Sequence, residues 1–169
     1  DKDIVGVNLT SELKEGTLLR TAKRDVWKNF QQISKKAQAE GLSVTAHAGE
    51  VGGPESVRDA IENLGAKRIG HGINVIKDRE LLKVMIRQGI PFEICLTSNV
   101  LSGAVKNIEE HPLKELYDNG ALVTINTDDP SLCQTSLTSE YVLAAKACQL
   151  DLADIKRIVE NGFLARFTH

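Results

Sequence analysis

SVTAHAGEVGGPESV, residues 43–57, decides how the rest of the chain is read. Small and β-branched residues alternate up to His47, a glycine-rich turn carries Glu50, and Pro54 suits the first turn of a helix. The same order of strand, polar strand end and helix recurs along the chain. Strands are predicted over 3–10, 42–48, 67–73, 90–99 and 121–129, spaced at roughly 25 to 40 residues, which is the spacing of βα units. Gly41, Gly65, Gly89 and Gly120 precede four of them and fit the position just past a helix end. Between the strands run amphipathic stripes: Val26, Phe30, Ile33 and Ala37; Val57, Ala60, Ile61 and Leu64; Leu81, Leu82, Met85 and Ile86. Asp78 and Asp151 stand where N-caps belong, and Pro112, like Pro54, suits a first helical turn.

Residue parity turns this α/β alternation into an architecture. Alternate strand residues share a face, so Ser43, Thr45 and His47 go together while Val44 and Ala46 point the other way. In the last strand Thr124, Asn126 and Asp128 oppose Val123 and Ile125. A two-faced open sheet needs apolar cover on both sides, whereas a barrel accepts polar groups in its lumen near the C-terminal mouth. The pattern predicts part of a (β/α)8 barrel, with five βα units in one domain over residues 1–169.

Composition removes several classes of function. Of 169 residues, 41% are apolar and 26% charged, and the formal net charge of −2 comes with scattered basic residues. There is no dense positive footprint for a phosphate backbone, so nucleic acid is not an expected partner. No apolar run reaches the roughly 20 residues that span a bilayer, and Asp1-Lys2-Asp3 does not read as a secretory signal, so no membrane partner is expected either. Cys95, Cys133 and Cys148 are odd in number and lie in apolar surroundings, as reduced core residues of a cytoplasmic protein would.

Four consecutive strands end in polar groups: His47 and Glu50, His71, Thr97-Ser98-Asn99, and Asp128-Asp129. Taken singly, each has an ordinary structural reading. A histidine at a strand end is commonly a hydrogen-bonded core residue, Asp-Asp-Pro a turn or cap, Gly-His-Gly a tight turn, and Leu-Thr-Ser-Asn an N-cap cluster. In a barrel, however, all four would meet at one rim. Imidazole and carboxylate there suit metal-assisted hydrolysis, with His47 and Asp128 as ligands, His71 as base or electrostatic partner of the attacking water, Asp129 orienting, and Glu50 as the acid.

The segments HAGE (47–50), RIGHG (68–72), CLTSN (95–99) and INTDDP (125–130), in this order and spacing, resemble the C-terminal part of the adenosine deaminase family of the amidohydrolase superfamily, in its bacterial-type form. The resemblance covers residues 42–169 closely and the first 41 more loosely. It implies Zn2+ as cofactor, held by His47 and Asp128 after the fifth and eighth strands of the barrel. It implies that Glu50 protonates the purine ring at N1, that His71 activates the attacking water, and that Asp129 contacts N7. It implies a purine nucleoside substrate, with adenosine converted to inosine and ammonia, and substrate contacts at Gly49 and at the position of Ser11.

Two departures qualify that picture. The family's His-x-His pair, which supplies two further zinc ligands, occurs nowhere in the chain. Asn8-Leu9-Thr10-Ser11 replaces the family's Asp-Leu-Ala-Gly, so Ser11 would offer the backbone N–H to purine N3 and bring a side chain toward the pocket. The five units match strands four to eight, and an isolated five-stranded arc would leave two open edges. The expectation is therefore a fragment whose partner is the N-terminal part of the barrel, strands one to three. The alternatives are deaminases of adenine, AMP or N6-modified adenine nucleotides, or a non-catalytic truncated barrel acting as a binding or structural module.

Overall fold

A computed structural model describes residues 4–10 and 24–167, with side chains from residue 27 onward in the second stretch. Five parallel strands form one sheet: β1 (Gly6–Leu9), β2 (Ser43–Ala48), β3 (Arg68–His71), β4 (Phe92–Ile94) and β5 (Val123–Ile125). The helices are α1 (Arg24–Ala39), α2 (Pro54–Glu62), α3 (Arg79–Gln88), α4 (Leu96–Leu101), α5 (Leu113–Asp118), α6 (Pro130–Cys133), α7 (Leu137–Ala147) and α8 (Leu152–Leu164). Short 3-10 turns occupy Ile73–Lys77 and Ile108–Glu110. None of the described helices is long and apolar enough to cross a membrane.

Strand order in space follows strand order in sequence, β1-β2-β3-β4-β5, without reversal. A doubly wound sheet reverses direction at a switch point and so puts helices on both faces. An unreversed series of right-handed crossovers puts every helix on one face and leaves the other as a lumen. This is an arc of a TIM barrel, as the strand parity predicts. On the helix side Val44, Ala46, Ile69, Phe92, Ile94, Val123 and Ile125 join Val57, Leu82, Met85, Leu116 and Ile158 in one buried core. On the lumen side Thr45 Oγ1 donates to Glu93 Oε2 at 2.9 Å, and Arg68 Nε pairs with Glu93 Oε1 at 2.8 Å. The same guanidinium donates to the Ala165 carbonyl at 3.1 Å and lies 3.7 Å over the Phe167 ring.

Helix ends follow local chemistry. The Asp78 side chain accepts from Leu81 N, and Asp151 forms a reciprocal capping box with Asp154. Pro54 is in the first turn of α2, whereas Pro112 is the N-cap of α5. Gly41, Gly65, Gly89 and Gly120 all have positive φ.

Several local expectations are corrected. The strand predicted over 90–99 stops at Ile94, because Thr97, Ser98 and Asn99 are three consecutive polar residues with no period-2 face to bury. The chain coils there into α4, with Asn99 N donating to the Cys95 carbonyl. The N-cap reading of Leu-Thr-Ser-Asn fails too, since these residues lie inside the helix and the N-cap is Cys95. The strand predicted over 121–129 stops at Ile125, and Asp128 turns the chain with φ 56°. In α1 the buried stripe uses Ser34, not Ile33. Ile33 is exposed, while Ser34 Oγ donates to the Leu64 carbonyl and so ties α1 to the end of α2. Val26 lies outside the described side chains. Cys95 and Cys148 are buried, but Cys133, on the short exposed α6, is only half-buried; all three are free thiols.

Candidate active site

Each strand delivers its last residues to the same rim. His47 is the fifth residue of β2, on the lumen face, and it fits because its register partner on β3 is Gly70. A Cβ at Gly70 would stand 3.0 Å from His47 Nδ1, so the missing side chain makes room for the imidazole. His71 ends β3, with its side chain 1% exposed and its backbone at φ 62°. Asp128 follows β5 with φ 56°. A positive φ on a residue with a Cβ is strained, so two of the rim's chemical groups occupy backbone that only surrounding structure can hold.

The ligand atoms of His47, His71 and Asp128 all lie within 4.8 Å of one another. The two imidazoles meet edge to face with centroids 4.8 Å apart. His71 Nε2 is 3.6 Å from Glu50 Oε2 and 3.8 Å from Asp128 Oδ2. Buried His47 Nδ1 has no hydrogen-bond partner among the described residues. Neutral imidazole nitrogens and a carboxylate oxygen are the donors that zinc takes, so the residues present fit such an ion. A cavity of about 410 Å3 opens in front of them, lined by Asn8, His47, His71, Glu93, Asn126 and Asp128 among others.

The loop carrying Glu50 is fastened on both sides. Asn74 Nδ2 donates to the carbonyls of Glu50 (2.7 Å) and Gly52 (2.9 Å), and Ser102 Oγ donates to Glu50 Oε1 at 2.8 Å. Gly49 has φ +68° and would drive a Cβ to 2.5 Å from Val57 Cγ2. Its N–H is given to Ser56 Oγ at 2.8 Å, and its carbonyl accepts from Asn74 N at 2.8 Å. Both backbone polar groups of Gly49 are thus committed inside the protein. Asp129 is the exposed N-cap of α6 and makes no side-chain cap bond. Ser11 lies outside the described residues.

Sequence reasoning brings Thr97, Ser98 and Asn99 to the rim but not the bonds they make, and it misses Glu140 and His111 altogether. Ser98 Oγ donates to Asp128 Oδ2 at 2.6 Å and fixes the rotation of that carboxylate. Buried Glu140 accepts from Thr97 N at 3.2 Å, from Thr97 Oγ1, and from Thr135 Oγ1 at 2.7 Å, pinning α4 to α7. His111 is buried behind the rim, and its isolated place in the sequence signals nothing. Cys95 also lines the cavity, but burial and then the neighbouring Asp128 push its thiol pKa up, so it is not a thiolate nucleophile.

A barrel arc with a histidine and carboxylate cluster at the C-terminal ends of its strands has the form of a (β/α)8-barrel protein with a candidate metal centre at its rim. The adenosine deaminase family model matches residues 1–169, and the chain belongs to that family. The adenosine deaminase of Erwinia tasmaniensis is 40% identical over 140 residues, covering 83% of this chain and 42% of the relative. The aminodeoxyfutalosine deaminase of Streptomyces avermitilis is 42% identical over 138 residues, covering 82% of this chain and 38% of that protein. The crystal structure of an adenine deaminase from Arthrobacter aurescens superposes with a TM-score of 0.87 at 26% identity, over 98% of this chain and 48% of that one. The chain therefore spans about two-fifths of the length of the curated relatives it matches.

Proposed function

We propose that this chain is the C-terminal part of a zinc-dependent enzyme that hydrolytically deaminates a 6-aminopurine nucleoside, adenosine foremost, releasing ammonia. The observation that carries the reading is the convergence of His47, His71 and Asp128 within 4.8 Å, with Glu50 beside them. A zinc ion held by His47 and Asp128 supplies Lewis-acid activation of water at neutral pH. A catalytic zinc takes about three protein ligands and keeps one position open. We assign the rest to a His-x-His pair on barrel strands one to three, contributed by chain beyond these 169 residues.

The protein's own groups do the remaining work. Glu50 Oε1 is tethered by Ser102 and Asn99, so Oε2, the oxygen nearer His71, is the one placed to pass a proton to the purine ring nitrogen. His71 orients and polarises the attacking water from the floor of the site. Ser98 holds Asp128 in one rotamer, and Asp129 reaches outward to the far edge of the purine. The backbone N–H at Ser11 is assigned to purine N3. Three free cysteines support placing the enzyme in a reducing compartment, the cytoplasm.

A second reading, deamination of free adenine, draws on the structural likeness to the Arthrobacter enzyme. At 26% identity that likeness is more distant than the 40% to the Erwinia adenosine deaminase, so the nucleoside is favoured. Ammonia release from adenosine, adenine and AMP, assayed in parallel with the full-length protein, separates these readings. Glu50→Gln in that protein is expected to cut turnover by at least about 1000-fold while zinc stoichiometry, read by atomic absorption, stays at the wild-type value. Unchanged turnover removes Glu50 from the mechanism.

A further inference from the structure

Behind His71 runs a line of hydrogen bonds whose direction is fixed at its origin. Leu113 N donates to His111 Nδ1 at 3.1 Å. A backbone N–H can only donate, so His111 Nδ1 is bare and its ring proton is on Nε2. That Nε2 lies 3.2 Å from Asn99 Oδ1, an acceptor. The other end of the same amide, Asn99 Nδ2, is 3.0 Å from His71 Nδ1 and 3.2 Å from Glu50 Oε1. His71 Nδ1 therefore accepts, and its proton is on Nε2, facing the carboxylates of Glu50 and Asp128 at 3.6 and 3.8 Å.

We propose that Asn99 and His111 are positioning residues that hold His71 in its Nε2–H tautomer, making it a hydrogen-bond donor toward the reacting centre and not a metal ligand. Placing the proton on His71 Nδ1 instead would require the Asn99 amide to turn over. Its oxygen would then face Glu50 Oε1, and its NH2 would face His111 Nε2. The His111 proton would have to move to Nδ1, against the Leu113 N–H. One misplaced proton thus costs an acceptor facing an acceptor at Glu50 and a donor facing a donor at Leu113, in a buried site where unmade bonds cost most. His111 stays neutral along this line, because burial, then the nearby His71, hold its pKa down to about 4. The relay also separates two histidines that distance alone would treat alike. His47 is left as a ligand, while both nitrogens of His71 are spoken for.

The proposal rests on the deaminase reading only for its kinetic arm. In full-length protein labelled with 15N-histidine and loaded with zinc, long-range 1H–15N spectra should show His71 and His111 protonated at Nε2 and bare at Nδ1. Asn99→Asp presents an acceptor to His71 Nδ1 and should move the proton there, lowering kcat about 100-fold with KM changed less than about threefold. His111→Phe removes the donor and should lower kcat about tenfold, whereas His111→Gln, which keeps an N–H donor, should restore it to within about threefold. A wild-type spectrum with His71 protonated at Nδ1 overturns the relay whatever the activity. So does an N99D or H111F protein that keeps both the wild-type tautomer and the wild-type kcat. If the wild type turns over no purine yet shows the Nε2–H tautomer and its loss in N99D, the relay stands and the reaction assigned to the site falls.

Discussion

Two carboxylate sites face the same lumen, one low and one at the rim, and they are built on opposite principles. Low in the arc, Glu93 is matched by the Arg68 guanidinium at 2.8 Å and the Thr45 hydroxyl at 2.9 Å, and Arg68 is matched in turn by the Ala165 carbonyl and the Phe167 ring. Charge is balanced there within the chain, so removing either partner would strand the other's charge. At the rim Asp128 meets the hydroxyl of Ser98 at 2.6 Å and the imidazole of His71 at 3.8 Å, and buried His47 Nδ1 has no partner among the described residues. Polar groups gathered there, two of them on strained backbone, are what the proposed zinc and substrate would engage. The same strand parity produced both sites. What differs, among the described residues, is whether a guanidinium stands within reach.

The sharpest way to break this comparison is to delete one member at each level. Asp128→Ala in the full-length protein should abolish stoichiometric zinc and lower kcat/KM by at least about 1000-fold, with thermal unfolding, compared between the two zinc-free proteins, moved little. A variant that lost stability instead of metal would make the rim as structural as the lower site. Acid sensitivity tests the relay side of the rim next. The pKa of His111 in the folded protein, about 4, is below its ordinary 6.5, so its contribution to stability is complete above pH 6.5 and is lost as pH falls toward 4. Over that window its loss amounts to about 3 kcal/mol, and His111→Gln should flatten the pH dependence of the unfolding free energy, read from urea titrations, by that amount. Arg68→Met, low in the lumen, should cost about 2 kcal/mol by leaving the Glu93 carboxylate to Thr45, while metal binding is retained. The smallest effect belongs to the outer layer: Asp151→Ala removes the α8 capping box and should cost about 1 kcal/mol in thermal melts, with no change at the rim.

Legibility in the sequence followed the range of the interactions. Helix ends at Asp78 and Asp151 and the glycines after the helices could be read because a cap is settled within three or four residues. The strands could be read from period-2 alternation, and their unreversed order fits the polar parity of β2 and β5. The turn of Thr97-Ser98-Asn99 into α4 was legible only in part: three polar residues in a row argue against a strand, but what rewards the helix is Glu140, more than forty residues away in sequence, bonding Thr97. Ile33 and Ser34 exchanged places for the same reason: the Leu64 carbonyl, thirty residues on, gives a serine a better buried partner than any local pattern reveals.

By itself the sequence determined which residues can form strands and helices, that alternate strand residues are polar, and that imidazoles and carboxylates come at the strand ends in a family-specific order. Those are properties of neighbouring residues along one chain. Only the tertiary structure decided that His47, His71 and Asp128 meet within 4.8 Å, that Ser98 and Asn74 hold the acids in place, and that a line from Leu113 through His111 and Asn99 sets the proton on His71. Hydrogen bonds are directional and close-range, so their partners are chosen by how the chain returns to the rim from each βα unit, which no local pattern of residues records.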